Sequence, residues 1–248
     1  GNSSTNNGTT NNGTNNGGTN SGNSSTDGNY GQGNDSTGST NGKSRSSDEL
    51  FKGRSYEEML SHRYFVQHLD EFWAFYKNVM LYPDAKPNTA HHALAAMEKA
   101  GRLSAVVTQN IDGLHQKAGS KTVYELHGSV LRNYCTRCGK FHSAEFVKES
   151  PGVPKCSCGG TVKPDVVLYE EGLDQETIYK SVDHISKADL LIVGGTSLNV
   201  YPAAGLLNYY RGNKLVLVNK SATPYDNKAA LVIAENIGEV FRKVILED

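Results

Sequence analysis

The sequence changes character at Leu50, which is the first aliphatic residue in a chain of 248. Of residues 1–40, 36 are Gly, Asn, Ser or Thr. A segment of this kind has too little apolar surface to offset the conformational entropy lost on ordering, about 1–2 kcal/mol per residue. We therefore predict that residues 1–47 are disordered and that residues 48–248 form the folded domain.

Composition excludes several classes of protein. The formal net charge of −1 argues against a dedicated nucleic-acid binder, which would usually be basic. No apolar run reaches the roughly 18–20 residues that span a membrane, and no hydrophobic region of a signal peptide is visible. All four cysteines lie between residues 135 and 158, which suits a metal site better than a disulfide framework. We expect a cytoplasmic protein.

The folded part contains short apolar runs that alternate with helical patterns. From Ser55 onward, aromatic and aliphatic residues recur with helical spacing, as one long helix or two shorter ones. Continuous apolar runs are typical of strands that are covered on both faces; these runs are Leu103–Val107, Leu190–Val193, Leu215–Val218 and Leu231–Ile233. The alternation predicts an α/β fold with a parallel, doubly wound sheet.

Polar or glycine-rich loops follow three of these predicted strands. In parallel sheets, ligands bind beyond the carboxyl ends of the strands. The loops begin at Thr108, Gly194 and Asn219, and they offer small residues, hydroxyls and amides. Each loop alone fits ordinary turn chemistry, but three at one edge of a sheet favour a nucleotide site.

Two further patterns carry chemistry. His127 precedes Gly128 at the end of a short apolar run, where it is either exposed in a cleft or simply structural. Cys135 and Cys138 form one close pair of cysteines, and Cys156 and Cys158 form a second. Two such pairs suit tetrahedral Zn²⁺ bound by four thiolates; the alternative is four unrelated free thiols. A complete set of four ligands leaves no open position, so the predicted role of the metal is structural.

These patterns together resemble the sirtuin family. The matching motifs, in the order and at the spacing of the family, are Gln109–Asp112, Glu125–Gly128, the four cysteines, Lys163–Tyr169, Gly195–Leu198 with Tyr201–Ala204, and Asn219–Ser221. The resemblance covers about residues 45–248 and is closest to bacterial members. It implies a Rossmann-like parallel sheet with a small zinc-ribbon lobe at about residues 131–164.

The resemblance also implies an activity, which is NAD-dependent deacylation of lysine in an acetylated protein or peptide. His127 would be the general base, and the substrate would pair as a strand between Val166–Tyr169 and Ser197–Val200. The implied cofactor contacts are Gln109, Asn110, Ile111, Asp112, Gly195, Thr196, Ser197, Asn219, Lys220, Ser221 and Arg45. The implied substrate contacts are Val166, Val167, Leu168, Leu198 and Val200.

The chain departs from the family at its N-terminal end. Sirtuins open with an apolar strand, a Gly-Ala-Gly-x-Ser loop that holds the pyrophosphate, and a segment ending Pro-Asp-Phe-Arg. Here Arg45 falls where the Arg of that segment belongs, but Gly42, Lys43 and Ser44 replace the three residues before it. We expect the first strand to be absent and NAD binding to be weakened by several kcal/mol, at about 1.5–3 kcal/mol per lost charge-assisted hydrogen bond.

Two functional hypotheses follow. The first is a deacylase with impaired turnover, and the second is a sirtuin-like module that binds peptide or nucleotide without turnover. Family members that remove acidic acyl groups carry a Tyr and an Arg three residues apart near the acyl pocket. Here Tyr76 is followed at that spacing by Val79, and Phe72–Met80 contains no Arg. An uncharged acyl group such as acetyl is therefore expected.

Overall fold

The structure, a computed structural model, describes residues 50–51, 53–198 and 203–245. The strands are β1 Leu50–Phe51, β2 Arg54–Ser55, β3 Val106–Thr108, β4 Val123–Glu125, β5 Arg132–Cys135, β6 Phe141–Ser143, β7 Val162–Pro164, β8 Leu191–Gly194, β9 Leu215–Val218 and β10 Leu231–Ile233. The α-helices are α1 Tyr56–Met59, α2 His62–Gln67, α3 Leu69–Val79, α4 Thr89–Lys99, α5 Leu114–Ala118, α6 Ala144–Glu149, α7 Gln175–Lys187 and α8 Ile237–Ile245. Two 3-10 helices span Ala203–Tyr209 and Asp226–Lys228.

The first helical region consists of three helices, where the sequence pattern suggested one or two. Ser55 and Ser61 each cap a new helix, because their side chains accept hydrogen bonds from the amides of Glu58 and Tyr64. His68 leaves the helical conformation with φ −134° and separates α2 from α3. The aromatic face of α3 is fully buried and forms the centre of the largest apolar core; its residues are Phe72, Trp73, Phe75 and Tyr76.

The parallel strands confirm the predicted α/β class. β8, β9 and β10 form a parallel sheet in the order β10-β9-β8, and β3 pairs in parallel with β4. Helices pack against these strands, with α4 and α8 sharing one apolar cluster and α7 contributing to another. The strand predicted at Leu103–Val107 begins later, at Val106, because residues 102–105 form the connection from α4.

The described parallel strands fall into two separate sheets. β3 hydrogen-bonds only to β4, and β8 hydrogen-bonds only to β9, among the residues that the structure covers. The side chains of β8 are only half-buried, although a strand inside a doubly wound sheet is normally covered on both faces. β3 and β8 therefore each have one edge without a described strand beside it.

A third sheet is antiparallel and carries the cysteines. Its strands lie in the order β6-β5-β7, and α6 packs beside them. Cys135 ends β5, and the other three cysteines lie in the loops beside the same sheet. This sheet corresponds to the expected zinc-ribbon lobe, while the boundaries predicted for the lobe and for the domain stay predictions.

Several expectations concern residues outside the described ranges. They are the disorder of residues 1–47, the absence of a first strand, the cofactor contact of Arg45, the substrate contact of Val200 and the motif residues Tyr201 and Pro202. In the part of the chain that is described, no helix is both long and apolar enough to cross a membrane.

Candidate active site

The ring of His127 is oriented by the loop that follows β3. Its Nδ1 lies 3.1 Å from the backbone oxygen of Gln109. A carbonyl only accepts hydrogen bonds, so Nδ1 carries the proton and Nε2 of the neutral ring carries the lone pair. Burial lowers the pKa of His127 below its usual value of 6.5, and the hydrogen bond to Gln109 opposes this shift. The side chain is therefore a neutral base at physiological pH.

Three predicted site segments meet around this histidine. The carbonyl of His127 accepts a hydrogen bond of 3.0 Å from the amide of Val167. The amide of Val130 donates to the carbonyl of Ile111 over 2.9 Å, which joins the loop after β4 to the loop after β3. Hydrogen bonds thus join His127 to a residue of the predicted cofactor loop and to a residue of the predicted substrate segment.

The loop between β3 and α5 is held by local hydrogen bonds and by one buried side chain. The carboxylate of Asp112 accepts a hydrogen bond from the amide of Leu114, the first residue of α5. The amide of Asn110 donates to the hydroxyl of Thr108. The side chain of Ile111 is buried in the main core and anchors the loop. Gln109, Asn110 and Asp112 are half-buried. The cofactor contacts predicted for these four residues stay predictions.

The second group of predicted cofactor residues lies at the carboxyl ends of β8 and β9. The amide of Gly195 donates to the carbonyl of Val218 over 3.1 Å, which holds the two loops side by side. Gly195 has φ 66°, and a Cβ atom there would meet no atom within 4 Å. An open glycine backbone beside the hydroxyls of Thr196 and Ser197 suits close approach of a nucleotide. Asn219, whose side chain bonds to Ser221, is half-buried, while Lys220 and Ser221 are exposed.

Most of the apolar substrate candidates are buried. As whole residues, Val166 and Leu168 are each 2% exposed and Leu198 is 4% exposed, whereas Val167 is half-buried. Leu198 packs with Leu215 and Leu217 and adopts φ 57°. Contact of these residues with a peptide stays a prediction.

Two salt bridges made by Arg132, here called the ionic brace, lie beside the site and were not predicted from the sequence. Arg132 binds Asp165 through Nε and Glu125 through Nη1, both at 2.7 Å. The side chain of Glu125 is only 6% exposed, so this charge is paired in a largely dry environment. The brace links β4, β5 and the residue that leads into the substrate segment. Sequence spacing gave no sign of the pairing, because the three residues come from separate strands and loops.

Gly128 permits the closest backbone approach in the site. Its φ is 72°, and a Cβ there would lie 1.7 Å from the carbonyl oxygen of Asp165. We expect Gly128→Ala to lower the free energy of unfolding by roughly 2–4 kcal/mol, since it adds overpacking to a left-handed backbone. Urea denaturation measures the loss. Gly101→Ala is the control because Gly101 also has φ 72° but lies in open space; an equal loss in both variants would contradict the steric explanation.

The four cysteines are brought together as a metal site. Their sulfur atoms all lie within 4.8 Å of one another, and Cys135 lies 3.5 Å from Cys158. A tetrahedral zinc with Zn–S bonds of about 2.3 Å requires sulfur separations of about 3.8 Å, so the arrangement fits. The backbone amide of Cys138 lowers the pKa of the Cys135 thiol to about 6, whereas the pKa of Cys138, despite the amide of Lys140, is raised to about 11 by hydrogen bonds with Cys158 and Cys135.

Comparison with known proteins identifies the family. A profile of the Sir2 family matches residues 45–202. The chain belongs to the Sir2 family. It is similar to an NAD-dependent protein deacetylase of Clostridium acetobutylicum, with 59% identity over 217 residues that cover 85% of this chain and 89% of the relative. The predicted resemblance to sirtuins of the bacterial type is confirmed.

Solved structures share the fold of this sirtuin. A Sir2 complex with a p53 peptide and NAD+ is 42% identical with a TM-score of 0.72, and the match covers 79% of this chain and 85% of that one. A second Sir2 complex holds a deacetylated p53 peptide and 3′-O-acetyl ADP ribose. It is 41% identical with a TM-score of 0.72, and the match covers 77% of this chain and 81% of that one. The predicted Rossmann-like fold is confirmed by these neighbours.

Proposed function

We propose that this sirtuin is an NAD-dependent protein lysine deacetylase, which converts NAD, an acylated lysine and water into nicotinamide, O-acyl-ADP-ribose and the free lysine. The observation that carries the proposal is the neutral His127, held by Gln109 and joined through its own carbonyl to Val167. A base, a cofactor loop and a substrate segment in one constellation are what such a reaction needs. The 59% identical clostridial relative bears the name of this activity.

The proposed roles of the site residues are cofactor binding and proton transfer. Bound NAD supplies the ribose carbon that accepts the acyl oxygen as nicotinamide leaves. Asn110 and Asp112 would hold the nicotinamide side, and Thr196, Ser197 and Asn219 the adenosine side. Nε2 of His127 would take a proton from a ribose hydroxyl, which requires the neutral ring that burial favours.

The substrate we propose is an acetylated lysine in a protein or peptide, bound as a strand that pairs with Val166–Tyr169 on one side and with Ser197–Val200 on the other. An uncharged acyl group is supported by the sequence of this region, because Phe72–Met80 contains no Arg that could pair with an acidic acyl group. Burying a charged acyl group without a partner would be costly.

The four cysteines would hold a structural Zn²⁺ in a lobe at about residues 131–164, within a catalytic domain at 48–248. Four thiolates leave no open coordination position, so the metal would stabilise the fold without taking part in the reaction. The cysteines are free thiols, not disulfides. Since such thiols persist in reducing compartments, we propose a cytoplasmic location.

Turnover by the chain as it stands is proposed to be slow. Residues 1–45 lack the pyrophosphate loop of the family, with Arg45 the one matching residue of the segment ending Pro-Asp-Phe-Arg. The two parallel sheets also share no strand among the described residues. Both observations favour weak positioning of the cofactor, and they keep a binding module without turnover as the second candidate.

The test is release of nicotinamide from NAD in the presence of an acetyl-lysine peptide. We expect slow but measurable release, at least 100-fold slower in His127→Ala because a general base contributes about 10²–10⁴-fold. The acidic limb of the pH profile should lie below pH 6.5, since a lowered pKa keeps the base neutral at lower pH. Equal rates for the chain and His127→Ala, or faster removal of succinyl than acetyl, would contradict the assignment.

A further inference from the structure

The substrate segment is held from one side by an ion pair. The carbonyl of Val166 accepts a hydrogen bond of 3.2 Å from Nζ of Lys163. The amide of Leu168 donates to Oε2 of Glu171 over 2.9 Å. The residue between them, Val167, faces the other way and donates its amide to the carbonyl of His127. The backbone groups therefore alternate between the ion pair and the catalytic loop.

The ion pair is short and partly buried. Lys163 Nζ lies 2.9 Å from Glu171 Oε2, and the two side chains are 23% and 19% exposed. Burial alone would raise the pKa of Glu171, but hydrogen bonds from Leu168, His62 and Lys163 hold it below its usual value. The carboxylate is thus charged at neutral pH and is bound on both oxygens, with Oε1 only 2.8 Å from Nδ1 of His62.

Glu171 also closes a tight turn after the segment. Its amide donates to the carbonyl of Leu168 over 3.0 Å, so backbone and side chain of Glu171 both bind the same residue. Glu170 has φ 76°, the conformation that a type II turn requires at its third position. The turn is fixed to α2, because the amide of His62 donates to the carbonyl of Tyr169.

We propose that Glu171, together with Lys163, is the positioning residue for the peptide substrate. This clamp, formed by the side chains of Lys163 and Glu171, engages the carbonyl of Val166 and both backbone groups of Leu168. It thereby fixes the backbone of the segment, in which Val167 is half-buried while Val166 and Leu168 are each 2% exposed. The inference rests on the proposed function, because it concerns the same peptide site.

The test is direct binding of a fluorescent acetyl-lysine peptide to the full chain without NAD, followed by fluorescence anisotropy. We expect Glu171→Ala to weaken peptide binding about tenfold, which corresponds to about 1.4 kcal/mol. Glu171→Gln keeps a carbonyl oxygen that can accept the hydrogen bond from the Leu168 amide. Its peptide affinity should therefore lie between those of the parent chain and Glu171→Ala. Lys163→Met removes the cation that binds Glu171 and the carbonyl of Val166, and it should also weaken peptide binding.

Glu170→Ala is the matched control. It removes the neighbouring carboxylate, which is 42% exposed and binds Arg63 but does not touch Val166–Leu168. We expect its peptide affinity to stay within about twofold of the parent. Circular dichroism and thermal melting report on folding, so that a loss of affinity in a folded variant is assigned to positioning.

The kinetic signature is a split between KM and kcat. At saturating NAD, the KM for peptide should rise in Glu171→Ala while kcat for nicotinamide release stays unchanged, since the lost interaction is uniform binding. Unchanged or tighter peptide binding by folded Glu171→Ala would overturn the clamp while leaving the deacetylase proposal intact. A parent chain that neither binds acetylated peptide nor releases nicotinamide would overturn both.

Discussion

Replacing residues 1–45 by an apolar strand, a Gly-Ala-Gly-x-Ser loop and a segment ending Pro-Asp-Phe-Arg, joined at residue 46, should raise nicotinamide release by about 100-fold or more. Misplacement of reacting groups by about 1 Å can reduce a rate by this factor, and the chain lacks the motif that holds the pyrophosphate. The edges of β3 and β8 that have no described strand beside them would also gain a partner. Initial rates per active site, with NAD and an acetyl-lysine peptide, measure the effect.

His127→Ala within the graft is the control, because it should remove the recovered activity while leaving the new strand in place. If the ungrafted chain already matched the graft, the pyrophosphate loop would be dispensable and the proposed impairment wrong. If neither protein turned over while both bound acetylated peptide, the binding module would replace the enzyme as the better hypothesis.

Cys135→Ser should abolish stable zinc binding and unfold the sheet formed by β5, β6 and β7. Structural zinc contributes folding free energy of about 10–16 kcal/mol in small zinc domains, so loss of one thiolate affects the whole lobe. Metal content by mass spectrometry should fall from one zinc per chain toward zero, and the thermal transition should broaden or shift downward. Ser157→Ala, an exposed change between two of the cysteines, should keep its zinc. Unchanged stoichiometry in Cys135→Ser would refute the site.

The sequence predicted those parts of the fold that depend on local patterns. Continuous apolar runs marked β8, β9 and β10, and helical spacing from Ser55 onward marked the region of α1, α2 and α3. The exact start of β3 was missed because Leu103 is apolar yet belongs to a connection. Local sequence does not distinguish an apolar linker residue from a strand residue, since pairing with β4 decides where the strand begins.

The candidate site was predicted as a set of residues but not as a set of contacts. The motifs placed His127 and the loop from Gln109 in one cleft, whereas the roles of individual atoms depend on packing between distant segments. Ile111 and Leu198 lie in motifs, yet their side chains are buried in apolar clusters. Conversely, Glu171 gave no signal in the sequence, because its importance arises from the turn that brings its carboxylate back to Leu168.

The antiparallel sheet leads directly into the segment proposed to bind the peptide. β7 ends at Pro164, and the residues that pair with His127 and the ion pair begin two positions later, at Val166. Any change in the order of β7 on metal binding is therefore transmitted along the backbone to the groups that meet a substrate. By thermodynamic reciprocity, zinc that tightens peptide binding must itself be held more tightly when peptide is bound. A metal that takes no part in the chemistry would in that case act as an allosteric effector of substrate affinity.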